Sequence, residues 1–295
     1  MAITSSVSVI GLGSMGTALA QALLGRGHKV TVWNRSSHRS GPLVDAGATL
    51  ARTAAEAVSA SPLVIMCVLD YAAAAEILAL PGVAVALAGG KTFVQLSTGV
   101  PAQVHAQQAQ VQAHGGRFIA GGIVAYPRSI GRPNAVILYA GDPSFHTHRE
   151  TLLALAGSSQ YLGVDPASAV GAYFALSAYM IGALGLFFES AALSRNYGVS
   201  IDTYYLLARL VSDEVLEGLR DGAYRIASGK FDGKLASIDL TIAGMQDVCK
   251  EFNTTGMPIK MTEALVESLK IASAAGAGDN DIAALTEAIW SHRKA

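Results

Sequence analysis

The chain of 295 residues is 51% hydrophobic and 15% charged, with a formal net charge of −1. That balance excludes intrinsic disorder, leaves no basic footprint for nucleic acid, and at roughly 150 residues per domain points to two domains. The two cysteines, Cys67 and Cys249, cannot form a disulfide framework or a zinc cage, which fits a reducing, cytoplasmic setting, and the first residues lack a positive n-region, so a signal peptide is not expected.

Residues 6–10 alternate and then turn apolar, the pattern of a buried strand, and Gly11-Leu12-Gly13-Ser14-Met15-Gly16 follows at once. Thr17–Leu24 continues as a small-residue helix stopped by Gly25 and Gly27, and a second strand, Lys29–Trp33, ends at Asn34-Arg35-Ser36. Ala54–Ala60 reads as a helix, Leu63–Leu69 as a buried strand and Ala72–Leu80 as a helix. Lys91–Leu96, Arg117–Ala120 and Ala135–Ala140 are further strands, Thr151–Gly157 a short helix and Tyr161–Gly163 a last short strand. Strands alternating with helices at these spacings predict βαβ units and a mostly parallel sheet. From Pro166 onward only helical patterns occur, over Ala167–Asn196, Asp202–Leu219, Leu235–Phe252, Ile259–Ala275 and Asp281–His292. The division therefore falls between residues 1–163, an α/β half, and residues 164–295, an all-helical half.

Residues 167–188 carry no charge and are long enough to span a bilayer. Asp165 and Glu189 bracket them and no lysine or arginine flanks them closely, so the expectation is a helix buried between domains or subunits, not a membrane span.

A Gly-x-Gly-x-x-Gly run directly after a strand and opening a helix is the phosphate turn of a Rossmann domain. Gly11 permits the tight turn, Gly13 lets a pyrophosphate approach the backbone, and Gly16 allows close helix–strand packing. The helix N-terminus supplies N–H donors and partial positive charge. Where an NAD binder needs an acid for the ribose 2′-OH, this chain has Asn34, Arg35, Ser36 and, soon after, Arg39. Arginine and hydroxyl groups hold a 2′-phosphate that a carboxylate would repel, so the expected cofactor is NADPH.

The run Val9–Gly16 with Trp33–Ser36 resembles the β-hydroxyacid dehydrogenase superfamily. Within it, Gly121-Gly122-Ile123-Val124-Ala125-Tyr126-Pro127, Ile130-Gly131 and Ile137–Gly141 are similar to the imine reductases and reductive aminases. The resemblance implies a Rossmann domain, a long interdomain helix, and a helical domain interlocked in a homodimer whose clefts draw on both subunits. Hydroxyacid dehydrogenases of this superfamily use a lysine early in that helix, but here no lysine occurs between Lys91 and Lys230. In imine reductases the corresponding place holds aspartate or tyrosine, and the matching residue is Tyr173. Hydride addition to a ketone creates an alkoxide that must be protonated. Addition to a protonated iminium neutralises a charge and needs less acid, which suits a tyrosine that orients the nitrogen or protonates it. Read without the resemblance, Tyr173 is a core aromatic.

The resemblance also makes Thr98, beside Ser97 at a strand end, a neighbour of nicotinamide or substrate, although both hydroxyls equally suit a capped turn. Val68 and Leu69 would lie along the cofactor path, with Asp70 free to cap the next helix. Ile123, Tyr126, Tyr179 and Met180 are candidate substrate contacts or plain core, and Met245 would close the cleft from the partner subunit. His146 and His148, without a third ligand, read as a solvated turn and not a metal site, and Cys67 as inert core. The reading is an NADPH-dependent imine reductase acting on cyclic imines to give amines. Two alternatives stay open: a carbonyl reductase acting on an aldehyde or a 3-hydroxyacid precursor, and a non-catalytic NADPH-binding sensor.

Overall fold

A computed structural model describes residues 4–233 and 236–293. In chain order it contains β1 (Ser6–Ile10), α1 (Ser14–Gly25), β2 (Lys29–Trp33), α2 (Gly41–Asp45), β3 (Thr49–Leu50), α3 (Ala54–Ser59), β4 (Leu63–Met66), α4 (Tyr71–Leu78), α5 (Val83–Leu87) and β5 (Thr92–Gln95). Then come α6 (Pro101–Ala113), β6 (Arg117–Val124), β7 (Val136–Gly141), α7 (Arg149–Leu153), β8 (Gln160–Tyr161) and α8 (Ala167–Asn196). The chain finishes with α9 (Ile201–Ser228), α10 (Ile238–Thr254), α11 (Lys260–Ala272) and α12 (Leu285–Ser291). Two compact units divide within α8, one ending at Ala178 and the other starting at Tyr179.

In the first unit the eight strands form one sheet in the order β3-β2-β1-β4-β5-β6-β7-β8, parallel except for the β6–β7 pair. Every residue of β4 and β5 is buried, as a strand covered on both faces requires. The order reverses direction at β1, with β2 on one side and β4 on the other, so the loops leaving β1, β4 and β5 meet at one edge. That edge is where parallel α/β sheets form their ligand crevice.

Several boundaries differ from the sequence expectation. β4 stops at Met66, three residues early: the Cys67 N–H donates to the Ile10 carbonyl at 2.8 Å as the last rung of the ladder to β1, and the chain then turns toward Asp70. Asp70 then caps α4 by accepting the Ala73 N–H at 2.8 Å. Cys67 is thereby a partly buried residue at the strand end and not fully enclosed core. Helix α6 escaped periodicity because it buries only Val104, Gln107 and Val111 among glutamines and alanines. Its start is written instead in Pro101 and in Gln103, whose Oε1 accepts the Val100 N–H at 3.0 Å.

In the second unit the expected helices are present, α9 running nine residues beyond its predicted end at Leu219. The expected helix start at Leu235 lies outside the described residues, and described helix α10 begins at Ile238. The N-terminus of α11 is capped from α8: Glu189 accepts the backbone N–H groups of Met261 and Thr262 at 3.1 and 3.0 Å and the Thr262 hydroxyl at 2.5 Å. Although burial pushes its carboxyl pKa up, these hydrogen bonds hold it below the ordinary range.

Helix α8 has the predicted bounds. It is long and apolar enough to cross a membrane, yet only 6% of its most apolar stretch is buried within the chain. Within one chain the apolar surface of this helix is therefore left largely uncovered.

Candidate active site

The glycine loop is shaped by close approach. Gly11 has φ +96°, and a Cβ there would overlap the Cys67 carbonyl oxygen, so only glycine fits the turn between β1 and α1. A Cβ at Gly16 would likewise overlap the Gly11 carbonyl oxygen. At Gly13 it would meet no protein atom within 4 Å, so the loop is open on its outer edge. Gly13 is also the N-cap of the 12-residue helix α1 and provides no side-chain cap for it. The first-turn N–H groups thus face an open surface with no side-chain acceptor, an arrangement that fits a phosphate.

Asn34 organises the neighbouring turn. Its Oδ1 accepts the Leu12 N–H at 2.9 Å and its Nδ2 donates to the Ser36 carbonyl at 3.0 Å. A carboxylate at this position could make the first bond and not the second, which explains an amide where NAD binders carry an acid. Arg35 forms an exposed ion pair with Glu76 at 2.7 Å. A pair this open to water contributes little and yields readily to a stronger anion. Arg39 and His38 line a cavity with Leu12, Gly13 and Ser14. Arg128, which reading the sequence passed over, lines it too, with its guanidinium 4.7 Å from the centre of the Tyr126 ring. No carboxylate is among the residues lining this cavity, so its charge complements a polyanion such as NADPH.

A second cleft, of about 250 Å³, lies at the ends of β4, β5 and β6. Met15, Val68, Leu69, Ser97, Thr98, Ile123 and Tyr173 all line it, together with Cys67, Gly121 and Gly122. None of its lining residues is charged. Burial pushes the Cys67 thiol pKa up to about 12, so it stays protonated and is no nucleophile. The protic side chains left to handle a proton are Tyr173, Ser97 and Thr98. Among the described residues the Tyr173 hydroxyl has no hydrogen-bond partner.

Tyr173 reaches this wall because β6 allows it. A Cβ at Gly122 would come within 2.5 Å of the Tyr173 Cβ and 3.2 Å of the Ala169 carbonyl oxygen, so the first turns of α8 pack directly on the strand backbone. Tyr126 lies outside this cleft, 45% exposed under Arg128. Tyr179, Met180 and Met245 belong to the second unit and are not among the cleft-lining residues. Among the described residues no group of three potential metal ligands occurs, and His146 packs edge-on against Phe145 and Tyr161.

Residues 6–163 match the model of the NAD binding domain of 6-phosphogluconate dehydrogenase. Residues 165–291 match that of the NADPH-dependent reductive aminase-like C-terminal domain. The NADPH-dependent reductive aminase of Aspergillus oryzae is 34% identical over 288 residues, covering 95% of this chain and 96% of its own length. The structure of an imine reductase from Pseudomonas sp. is similar with a TM-score of 0.91 at 38% identity, over 97% of this chain and 100% of that one. A reductive aminase from Aspergillus terreus, solved with NADPH4, cyclohexanone and allyl amine, gives 0.86 at 34% identity, over 97% and 100%. An uncharged cleft beside the glycine loop, lined by Tyr173, thus agrees with full-length similarity in placing the chain in the imine reductase and reductive aminase family.

Proposed function

We propose that this chain is an NADPH-dependent imine reductase converting imines, cyclic ones among them, to amines. The observation that carries this reading is the cleft at the ends of β4, β5 and β6, which holds Tyr173 and no charged group. When bound, NADPH supplies the hydride. The α1 N-terminus and Ser14 hold its pyrophosphate, and Arg35, Ser36 and Arg39 hold its 2′-phosphate, with Arg128 adding positive charge. The Tyr173 hydroxyl donates a hydrogen bond to the substrate nitrogen, orients the C=N bond, and delivers a proton to the amine nitrogen. Ser97, Thr98 and Ile123 shape the cleft around it, and its dry walls suit reduction of a group that water would hydrolyse.

The test follows NADPH oxidation with 2-methyl-1-pyrroline beside glyoxylate and succinic semialdehyde. Turnover on the imine supports the proposal. Turnover on the aldehydes alone would replace it with a carbonyl reductase, and NADPH binding without turnover on any of the three would replace it with a sensor. Cofactor choice has its own test. Arg35→Ala is expected to weaken NADPH by about tenfold, the range of one charge-assisted contact, while leaving NADH unchanged. Equal loss for both cofactors would remove Arg35 from the 2′-phosphate site.

We also propose a homodimer. On α9, Leu207, Val211, Val215 and Leu219 recur every fourth residue and are 47–59% exposed, an apolar stripe that water does not tolerate unpartnered. A second copy, and not lipid, covers this stripe and α8. Light scattering is expected to give twice the 30.4 kDa chain mass; a stable single-chain mass would end the proposal. Both cysteines are free, which supports a reducing, cytoplasmic compartment.

A further inference from the structure

Strand β5 carries a polar side chain where an apolar one would pack: Gln95 is fully buried. A buried primary amide is costly unless paired, so its partners indicate what it does. Gln95 Nε2 donates to Gln107 Oε1 on α6 at 2.5 Å, and Gln95 Oε1 accepts the Ser97 N–H at 3.1 Å. The Ser97 Oγ in turn accepts the Val68 N–H at 3.0 Å. Gln107 is buried as well, and its Nε2 has no partner among the described residues, so its carbonyl oxygen is the atom in use.

These three hydrogen bonds run from α6, through β5, to two residues that line the Tyr173 cleft. They join the loop after β4 to the loop after β5, where the backbone adds an isolated bridge between Asp70 and Thr98. None of the three reaches the glycine loop between β1 and α1.

We propose that Gln95 and Gln107 are positioning residues for the reduction, holding Ser97 and the Val68 N–H in register at the rim of the cleft. The inference rests on reading that cleft as the site of reduction. Its alternative is a purely structural pair, and stability and function separate the two. Removing Gln95 leaves Gln107 with an unpaired buried amide, whereas removing both leaves only the Ser97 N–H without its side-chain acceptor. Gln95→Leu, Gln107→Leu and the double variant are each measured for melting temperature, for turnover, and for nicotinamide fluorescence of bound NADPH. Affinity for 2′,5′-ADP, which has the phosphates and lacks the nicotinamide, completes the set.

Both single variants are expected to melt lower than wild type, and the double variant higher than Gln95→Leu. All three are expected to lose about tenfold or more in kcat through misplacement of the cleft rim. In all three the bound-NADPH emission moves toward that of free cofactor, while 2′,5′-ADP binds as in wild type. Recovery of turnover and emission together with stability in the double variant would overturn the proposal, as would parallel loss of 2′,5′-ADP binding. Should Gln95→Leu fail to fold, Gln107→Leu decides, because it leaves the acceptor of Ser97 in place. A wild-type protein that binds NADPH and reduces no imine would remove the proposed function, and the emission readout would still decide the positioning role.

Discussion

Tyr173→Phe is expected to lower kcat for imine reduction by about 10²-fold, the scale of one lost proton-transfer partner, with NADPH affinity unchanged. That loss corresponds to about 2.7 kcal/mol of transition-state stabilisation, at 1.36 kcal/mol for each factor of ten. The substitution removes one oxygen and keeps the ring, so packing against Leu138, Ala140 and Ala169 persists and no cavity opens. The effect should fall on kcat more than on KM, because the hydroxyl acts on a nitrogen whose charge changes during the reaction. Undiminished turnover would transfer the role to Ser97 or Thr98, the other non-thiol protic side chains lining the cleft.

Gly122→Ala is the second large effect, and its origin is steric. The added methyl would meet the Tyr173 Cβ at 2.5 Å and the Ala169 carbonyl at 3.2 Å, and neither atom is the movable end of a side chain. Relief therefore requires the first turns of α8 to lift off β6. Overpacking of this kind costs about 1–3 kcal/mol, read as a lower melting temperature. Because the lift carries Tyr173 with it, turnover should fall about 10²-fold, the cost of roughly an ångström of misplacement. Truncating Tyr173 to Ala in the same chain should not restore stability, since the Cβ atom that clashes remains. Wild-type melting and turnover in Gly122→Ala would show that α8 tolerates the shift and that its seating on β6 does not position the site.

Much of the cleft was legible in the chain itself. Glycines at 11, 13 and 16 after an apolar strand have one economical reading, because the turn, the open edge and the helix start are local consequences of missing side chains. Alternation of strands and helices is also local, and it located β1, β2, β4, β5, β6 and β7 to within a few residues. The missing lysine narrowed the chemistry only through the resemblance to the hydroxyacid dehydrogenases. Boundaries were less legible, as at the end of β4, where the apolar run continues to Leu69 while the ladder to β1 ends with the Cys67 N–H on the Ile10 carbonyl.

Two features came only from the tertiary structure. Gly122 reads as one of two adjacent strand glycines until α8 is laid against it, 51 residues later in the chain. Gln95 and Gln107, 12 residues apart, look like a strand-end amide and a surface glutamine until the sheet and α6 bury both and leave each the other's partner. Helix α8 announces its length and apolarity in sequence, but not what covers it, since an apolar run is the same whether it faces a core, a second subunit or lipid. Local pattern is fixed by the residues a segment contains. Which atoms come into contact across the fold is decided by packing, and at this site packing sets both the seat of Tyr173 and the rim of its cleft.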